Sequence, residues 1–300
     1  MTRYRNRLDD RYAGALLGLA CGDAVGATTE FLERGTFEPV IDMVGGGAFD
    51  LKPGQWTDDT SLAMCLAESL VACAGFDPVD QMSRYLSWYR HGYWSARPHS
   101  FDIGQTTEHA LRQFEKTQNP WCGPTHPITA ANGSVMRLAP VVLHYFPSAK
   151  DVLHYAGESS RTTHGALLAV EGCRLLAWAL LALLKGSPKK QCLEGSATHL
   201  TQPRLKSIAG AIFEKKPRSR IKSSGFVVHT LEAALWCLYR TESFDEAILL
   251  AANLGDDADT VAAVTGQLAG AHYGASGIPE RWLERLYRRT DIETLALCLR

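Results

Sequence analysis

Apolar residues along this chain recur mostly every three or four positions, the spacing of one face of an α-helix. In RYAGALLGLACGDAVGA, Tyr12, Leu16 and Leu19 share a face, while Gly14, Gly18 and Gly22 repeat every fourth residue. Each glycine costs a helix about 1 kcal/mol relative to alanine. Such a row therefore predicts close packing against another backbone. In TSLAMCLAESLVACAG, Leu62, Leu66 and Leu70 form a face and Gly75 is the expected C-cap. The same spacing predicts helices over DPVDQMSRYLSWYR, TTEHALRQFEK, ALLAVEGCRLLAWALLALLKG, HTLEAALWCLYRT, SFDEAILLAAN and DTVAAVTGQLAGAHYG. The last carries a second glycine row, Gly266, Gly270 and Gly274. Alternating runs of Val, Ile and Thr are nearly absent, so the expected fold class is all-α. No repeat of solenoid length and no low-complexity linker divides the chain, and residues 1–300 read as one domain.

Composition changes this picture little. With 46% hydrophobic residues, 21% charged residues and a net charge of −1, the chain has no global pull toward nucleic acid or an anionic membrane. Neither is an expected partner. The eight cysteines show no CxxC pair or finger-like spacing, which predicts free thiols in a reducing compartment. The start, MTRYRNRLDDRY, is too polar for a signal peptide. The most apolar run, residues 175–184, is half of the ~20 residues a membrane span needs. A soluble, cytoplasmic monomer is expected. The basic stretch 185–222 reads either as a solvated connection packed on the surface or as a rim for docking substrate. Trp121, in the loop NPWCGPTHP, either lines a pocket or packs locally.

The chemistry is concentrated in two acidic helix starts. WTDDTSLAM supplies Thr57, Asp58, Asp59 and Thr60; LGDDADTVAAV supplies Asp256, Asp257, Asp259 and Thr260. Aspartates at a helix start usually cap it. One cap needs one carboxylate, however, and crowded carboxylates raise each other's pKa unless a cation holds them ionised. Carboxylates with threonine hydroxyls form an oxygen-only donor set, suited to a hard divalent ion such as Mg²⁺ or Mn²⁺. Capping and metal binding both stand at this point.

Read in order, GLACGDAVGATTEF, WTDDTSLAM, FDIGQTT, NGSVMRLAP, SSRTTHG and LGDDADTVAAVTGQLAGAHYG resemble the ADP-ribosylglycohydrolase family, especially its bacterial branch that reactivates dinitrogenase reductase. The resemblance runs from about Gly18 to Gly274. It implies a compact all-α bundle with a dinuclear Mg²⁺ or Mn²⁺ site in a central cleft. It matches Thr57, Asp58, Asp59, Asp257, Asp259 and Thr260 to the family's metal ligands. Asp256 stands where many relatives have glycine, and it reads as a cap or an outer partner of the metals. The resemblance makes Glu30 a mobile acid that closes over the substrate, and Asp102 an acid near the ribose of arginine-directed relatives. Either acid would manage protons; without the resemblance, Glu30 reads as an exposed loop acid and Asp102 as a helix cap. Asn132, Gly133 and Ser134 match a diphosphate-binding loop, and His164 a phosphate- or ribose-contacting residue. Arg137 is expected to pair with an acid and fix that loop.

The implied activity is metal-dependent removal of ADP-ribose from modified protein side chains, with N-linked arginine favoured by Asp102. The rivals are O-linked ADP-ribose on serine or a small ester, and a non-catalytic or immunity-type binding protein. A lens crystallin resembles the family, but the full ligand set here argues against a purely structural role.

Overall fold

Thirteen α-helices and no strand form among the described residues, 4–300, of the computed structural model. In chain order they are α1 (Arg7–Gly26), α2 (Asp58–Ala72), α3 (Pro78–His91), α4 (Gln105–Thr117), α5 (Ala139–Tyr145), α6 (Ala149–Arg161) and α7 (Leu167–Lys185). There follow α8 (Pro203–Ala209), α9 (Val227–Arg240), α10 (Phe244–Ala252), α11 (Ala258–Tyr273), α12 (Glu280–Arg285) and α13 (Arg289–Cys298).

The two glycine rows face each other. A Cβ added at Gly18 would stand 2.3 Å from the Gly266 carbonyl oxygen, and one added at Gly266 would stand 1.9 Å from that of Gly18. Gly14 meets Gly270, Gly22 meets Ala262 and Gly26 meets Ala258 in the same way, so α1 and α11 run antiparallel at backbone contact. This places the C-terminal end of α1 beside the N-terminal end of α11, and there the acidic residues gather. The N-terminus of α2 joins them. Two helix N-termini thus direct their positive dipole ends at one cluster of carboxylates.

Helix α7 is long and apolar enough, by length and composition, to cross a membrane, longer than the apolar core of its sequence suggested. In the fold 72% of its most apolar window is buried, so the bundle itself accounts for its hydrophobicity. The 185–222 stretch packs on the surface of this helix and α9 through buried Leu193, Leu200, Leu205, Ile208, Phe213 and Ile221. The buried Glu171 carboxylate of α7 accepts the Thr201 and Gln202 N–H groups at 2.8 and 2.9 Å, tying the stretch down. All eight cysteines are free thiols.

Periodicity missed α5, α6, α8, α12 and α13. The buried face of α6 is built from Val152, Ala156, Gly157, Ser159 and Ser160, too small and polar to register as an apolar stripe. Gly75 is not the residue that ends α2: Ala74 takes the left-handed conformation (φ 51°), and the Gly75 N–H closes back on Leu70 O at 3.0 Å.

Candidate functional site

The first acidic cluster is not a cap. Thr57, the N-cap residue of α2, makes no capping bond with its side chain. The cap comes from Asp23 of α1, which is wholly buried. Its Oδ1 accepts the Thr57 N–H and hydroxyl at 2.9 Å each, and its Oδ2 accepts the Thr60 N–H at 2.9 Å and hydroxyl at 2.6 Å. Capping from a neighbouring helix leaves Asp58 and Asp59 free for other work. Sequence reasoning passed over Asp23. Its signal was present, as the one acid in the apolar, glycine-rich stretch that follows Tyr12.

The two clusters, some two hundred residues apart, converge. Thr57 Oγ1 lies 3.4 Å from Asp59 Oδ2 and 3.4 Å from Asp259 Oδ2, and Thr260 Oγ1 lies 3.4 Å from Asp59 Oδ2. The Thr57 proton is engaged by Asp23 at the shorter distance, so its lone pairs face the carboxylates. Asp59 Oδ1 and Asp259 Oδ1 are buried and have no hydrogen-bond partner, as do Glu30 Oε2 and Asp102 Oδ2. Carboxylate oxygens of Glu30, Asp102 and Asp259 all lie within 4.8 Å of one another. Burial first, then mutual repulsion, pushes Asp58, Asp59 and Asp259 well above the usual carboxylate range. Orphaned anionic oxygens at such spacing fit a hard divalent cation, which would supply the missing positive charge.

Glu30 is buried rather than an exposed loop acid. Burial, then the Asp102, Asp257 and Asp58 charges, pushes it up to about 10. Asp102 rises to about 7, chiefly through burial. Both acids are therefore shifted toward their protonated forms. Asp102 does not cap α4, whose N-cap is Gly104. It sits instead at a left-handed φ of 60°, a conformation that aspartate tolerates better than most residues. The chain after Glu30 is pinned by a two-way exchange: the Phe31 N–H donates to Asp256 O at 2.7 Å, and the Asp256 N–H to Leu32 O at 2.8 Å. Asp256 contributes only this backbone. Its side chain is exposed, neither capping α11 nor joining the cluster.

The opposite wall is poor in acids. Asn132, Gly133 and His164 line the same cavity as Glu30, Asp58, Asp102, Asp257, Asp259 and Thr260, a space of about 310 Å³. The Asn132 amide donates to Thr230 Oγ1 at 2.9 Å and to Asp257 Oδ2, so it orients a carboxylate. The Ser134 hydroxyl points inward, accepting from Ser160 Oγ at 2.9 Å, while the N–H groups of Gly133 and Ser134 meet no acceptor among the described residues. Gly133 is required by its neighbour: a Cβ there would stand 2.7 Å from His164 Cε1. Burial, with the Arg137 charge, holds His164 down at about 3, hence neutral. Among the described residues Arg137 pairs with no acid, contrary to expectation. It donates to Gly133 O at 2.9 Å and Thr163 Oγ1 at 2.5 Å, and lies 4.5 Å over the Tyr85 ring. Trp121 packs against Phe76 and Arg161, away from this cavity.

A cavity with a carboxylate wall and a donor wall, at the meeting of three helix ends, can be compared with known proteins. The ADP-ribosylglycohydrolase family model matches residues 4–300. The chain is 46% identical over 287 residues to "ADP-ribosylarginine hydrolase Tri1" of Serratia proteamaculans, covering 96% of this chain and 78% of that protein. It is 33% identical to the "ADP-ribosyl-[dinitrogen reductase] glycohydrolase" of Rhodospirillum rubrum, covering 95% and 92%. A solved structure described as an ADP-ribosylglycohydrolase-related protein complex matches with a TM-score of 0.86 and 46% identity over 97% of each chain. With family match, sequence identity and fold in agreement, the chain belongs to the ADP-ribosylglycohydrolase family.

Proposed function

We propose that this protein hydrolyses the N-glycosidic bond between ADP-ribose and the arginine side chains of modified proteins. The observation that carries the reading is the 46% identity, over 96% of the chain, to a protein named for that activity. The convergence of Glu30, Asp102 and Asp259 in one cavity supports it.

In this reading Thr57, Asp58, Asp59, Asp257, Asp259 and Thr260 hold two divalent cations, Mg²⁺ or Mn²⁺. Those ions supply Lewis acidity toward the ribose hydroxyls and water. The chain's own groups do the rest. Asp23 holds both threonine hydroxyls of α2 in place, and Asn132 does the same for Asp257. The bond broken joins ribose C1″ to a guanidine nitrogen, and the bond formed joins C1″ to water oxygen. The water gives up a proton and the departing guanidine takes one. The neighbouring Glu30 and Asp102 carboxyls, both shifted toward their protonated forms, are suited to both transfers. The Gly133 and Ser134 N–H groups and neutral His164 face the diphosphate.

The test is release of free ADP-ribose from an arginine-ADP-ribosylated protein, with Mn²⁺ or Mg²⁺ and again with chelator. Metal-dependent release is expected. No release from folded protein, alongside cleavage of serine-linked ADP-ribose, would replace arginine by an O-linked substrate.

A further inference from the structure

Arg137 is wholly buried, yet no carboxylate lies within ion-pair distance of it among the described residues. A buried charge without a counter-charge is costly, and it persists where it has a task. Its two hydrogen bonds show what that task is.

A guanidinium has only donors. Its Nη2 donates to Thr163 Oγ1 at 2.5 Å, so that oxygen accepts, and the Thr163 proton is left to seek an acceptor. The acceptor in reach is His164 Nδ1, at 2.8 Å. The Thr163 oxygen has a second lone pair and could accept from an Nδ1–H instead, but its own proton would then have no acceptor among the described residues; with Nδ1 accepting, both groups are satisfied and the neutral imidazole carries its proton on Nε2. That atom lies at the cavity wall, 3.0 Å from where a Gly133 Cβ would be. The other branch is parallel. Nη1 draws the Gly133 carbonyl inward, at 2.9 Å, and in a trans peptide the Ser134 N–H then points the opposite way.

We propose that Arg137 and Thr163 are positioning residues: the relay Arg137–Thr163–His164 fixes His164 as an Nε2–H donor, and the Arg137–Gly133 bond turns the Ser134 N–H outward, so that fixed donors meet a diphosphate anion. Burial and the adjacent cation hold the ring neutral across the physiological range, so the choice of tautomer is left to the hydrogen bonds. The identity of the anion rests on the function proposed above. The relay does not.

The experiment uses full-length protein with ¹⁵N-labelled histidine. Long-range ¹H–¹⁵N spectra report the tautomer, with the His164 signals assigned by their loss in His164→Gln. ADP-ribose affinity is measured by calorimetry on the same samples. The wild type is expected to show a neutral, Nε2-protonated His164. Thr163→Val, which cannot pass a proton on, is expected to lose the fixed tautomer and to bind ADP-ribose about tenfold more weakly or worse. Thr163→Ser is expected to restore both. An Nδ1-protonated His164 in the wild type would overturn the relay even if Thr163→Val failed to fold. So would a folded Thr163→Val that kept both tautomer and affinity. Wild-type protein that bound no ADP-ribose would remove the function proposed above, leaving the tautomer to decide the relay alone.

Discussion

The two walls of the cavity carry opposite deficits. At the meeting of α1, α2 and α11, buried carboxylate oxygens of Asp59 and Asp259 have no donor facing them. Beside the same cavity, among the described residues, the backbone N–H groups of Gly133 and Ser134 have no acceptor, and a buried guanidinium stands near them without a counter-charge. One wall lacks cations and the other lacks an anion. Both are expensive to maintain in a ligand-free fold, because a buried polar group without a partner costs about 1–3 kcal/mol and a charged one more. The contrast teaches what would relieve the strain: positive charge on one side and an anion on the other, as metal ions and the diphosphate of an ADP-ribosyl group would supply under the function proposed above.

The contrast breaks most sharply at its acidic wall. Asp59→Ala is expected to lower metal-dependent release of ADP-ribose on the order of 10³-fold while leaving the helical circular dichroism unchanged. Wild-type turnover in that variant would sink the assignment of the cluster. The next effect falls on stability. Asp23→Ala strands four buried donors and uncaps α2, and urea unfolding should report a loss of about 2–4 kcal/mol. A variant as stable as wild type would mean that Asp23 is a bystander.

A smaller effect sharpens the comparison through pH. In chelator, Glu30 (about 10) and Asp102 (about 7) bind protons in the folded state that the unfolded chain has released, because their folded values lie above their ordinary ones. Stability should then fall as pH rises from about 5 to about 8. Mn²⁺, by holding the carboxylates ionised, should flatten or reverse that slope. Melting temperatures at the two pH values, with chelator and with metal, check it; a chelated protein more stable at the higher pH would contradict the acidic wall as described.

Much of this was legible before folding. Helical spacing gave the long helices, the glycine rows gave close backbone packing without naming the partner, and the density of acids at two helix starts marked the candidate site, whose ligand set came from the family resemblance. These features are local or periodic, so one dimension carries them. The extra acid Asp256 misled, since its backbone rather than its carboxylate is in use. Arg137 misled as well, because a charge in a motif suggests an opposite charge nearby, and here the partners are a carbonyl, a hydroxyl and an aromatic ring.

By itself, the sequence determined an all-helical chain with two acidic helix starts and a glycine-rich pair of helices, because periodicity and residue chemistry are properties of neighbours along the chain. Only the tertiary structure decided that Asp23 caps a helix other than its own, that Asn132 holds the Asp257 carboxylate, and that Arg137 reaches His164 through Thr163. Each depends on atoms brought within about 3 Å by helix packing, and distances of that kind are set by how the helices cross rather than by the order of residues.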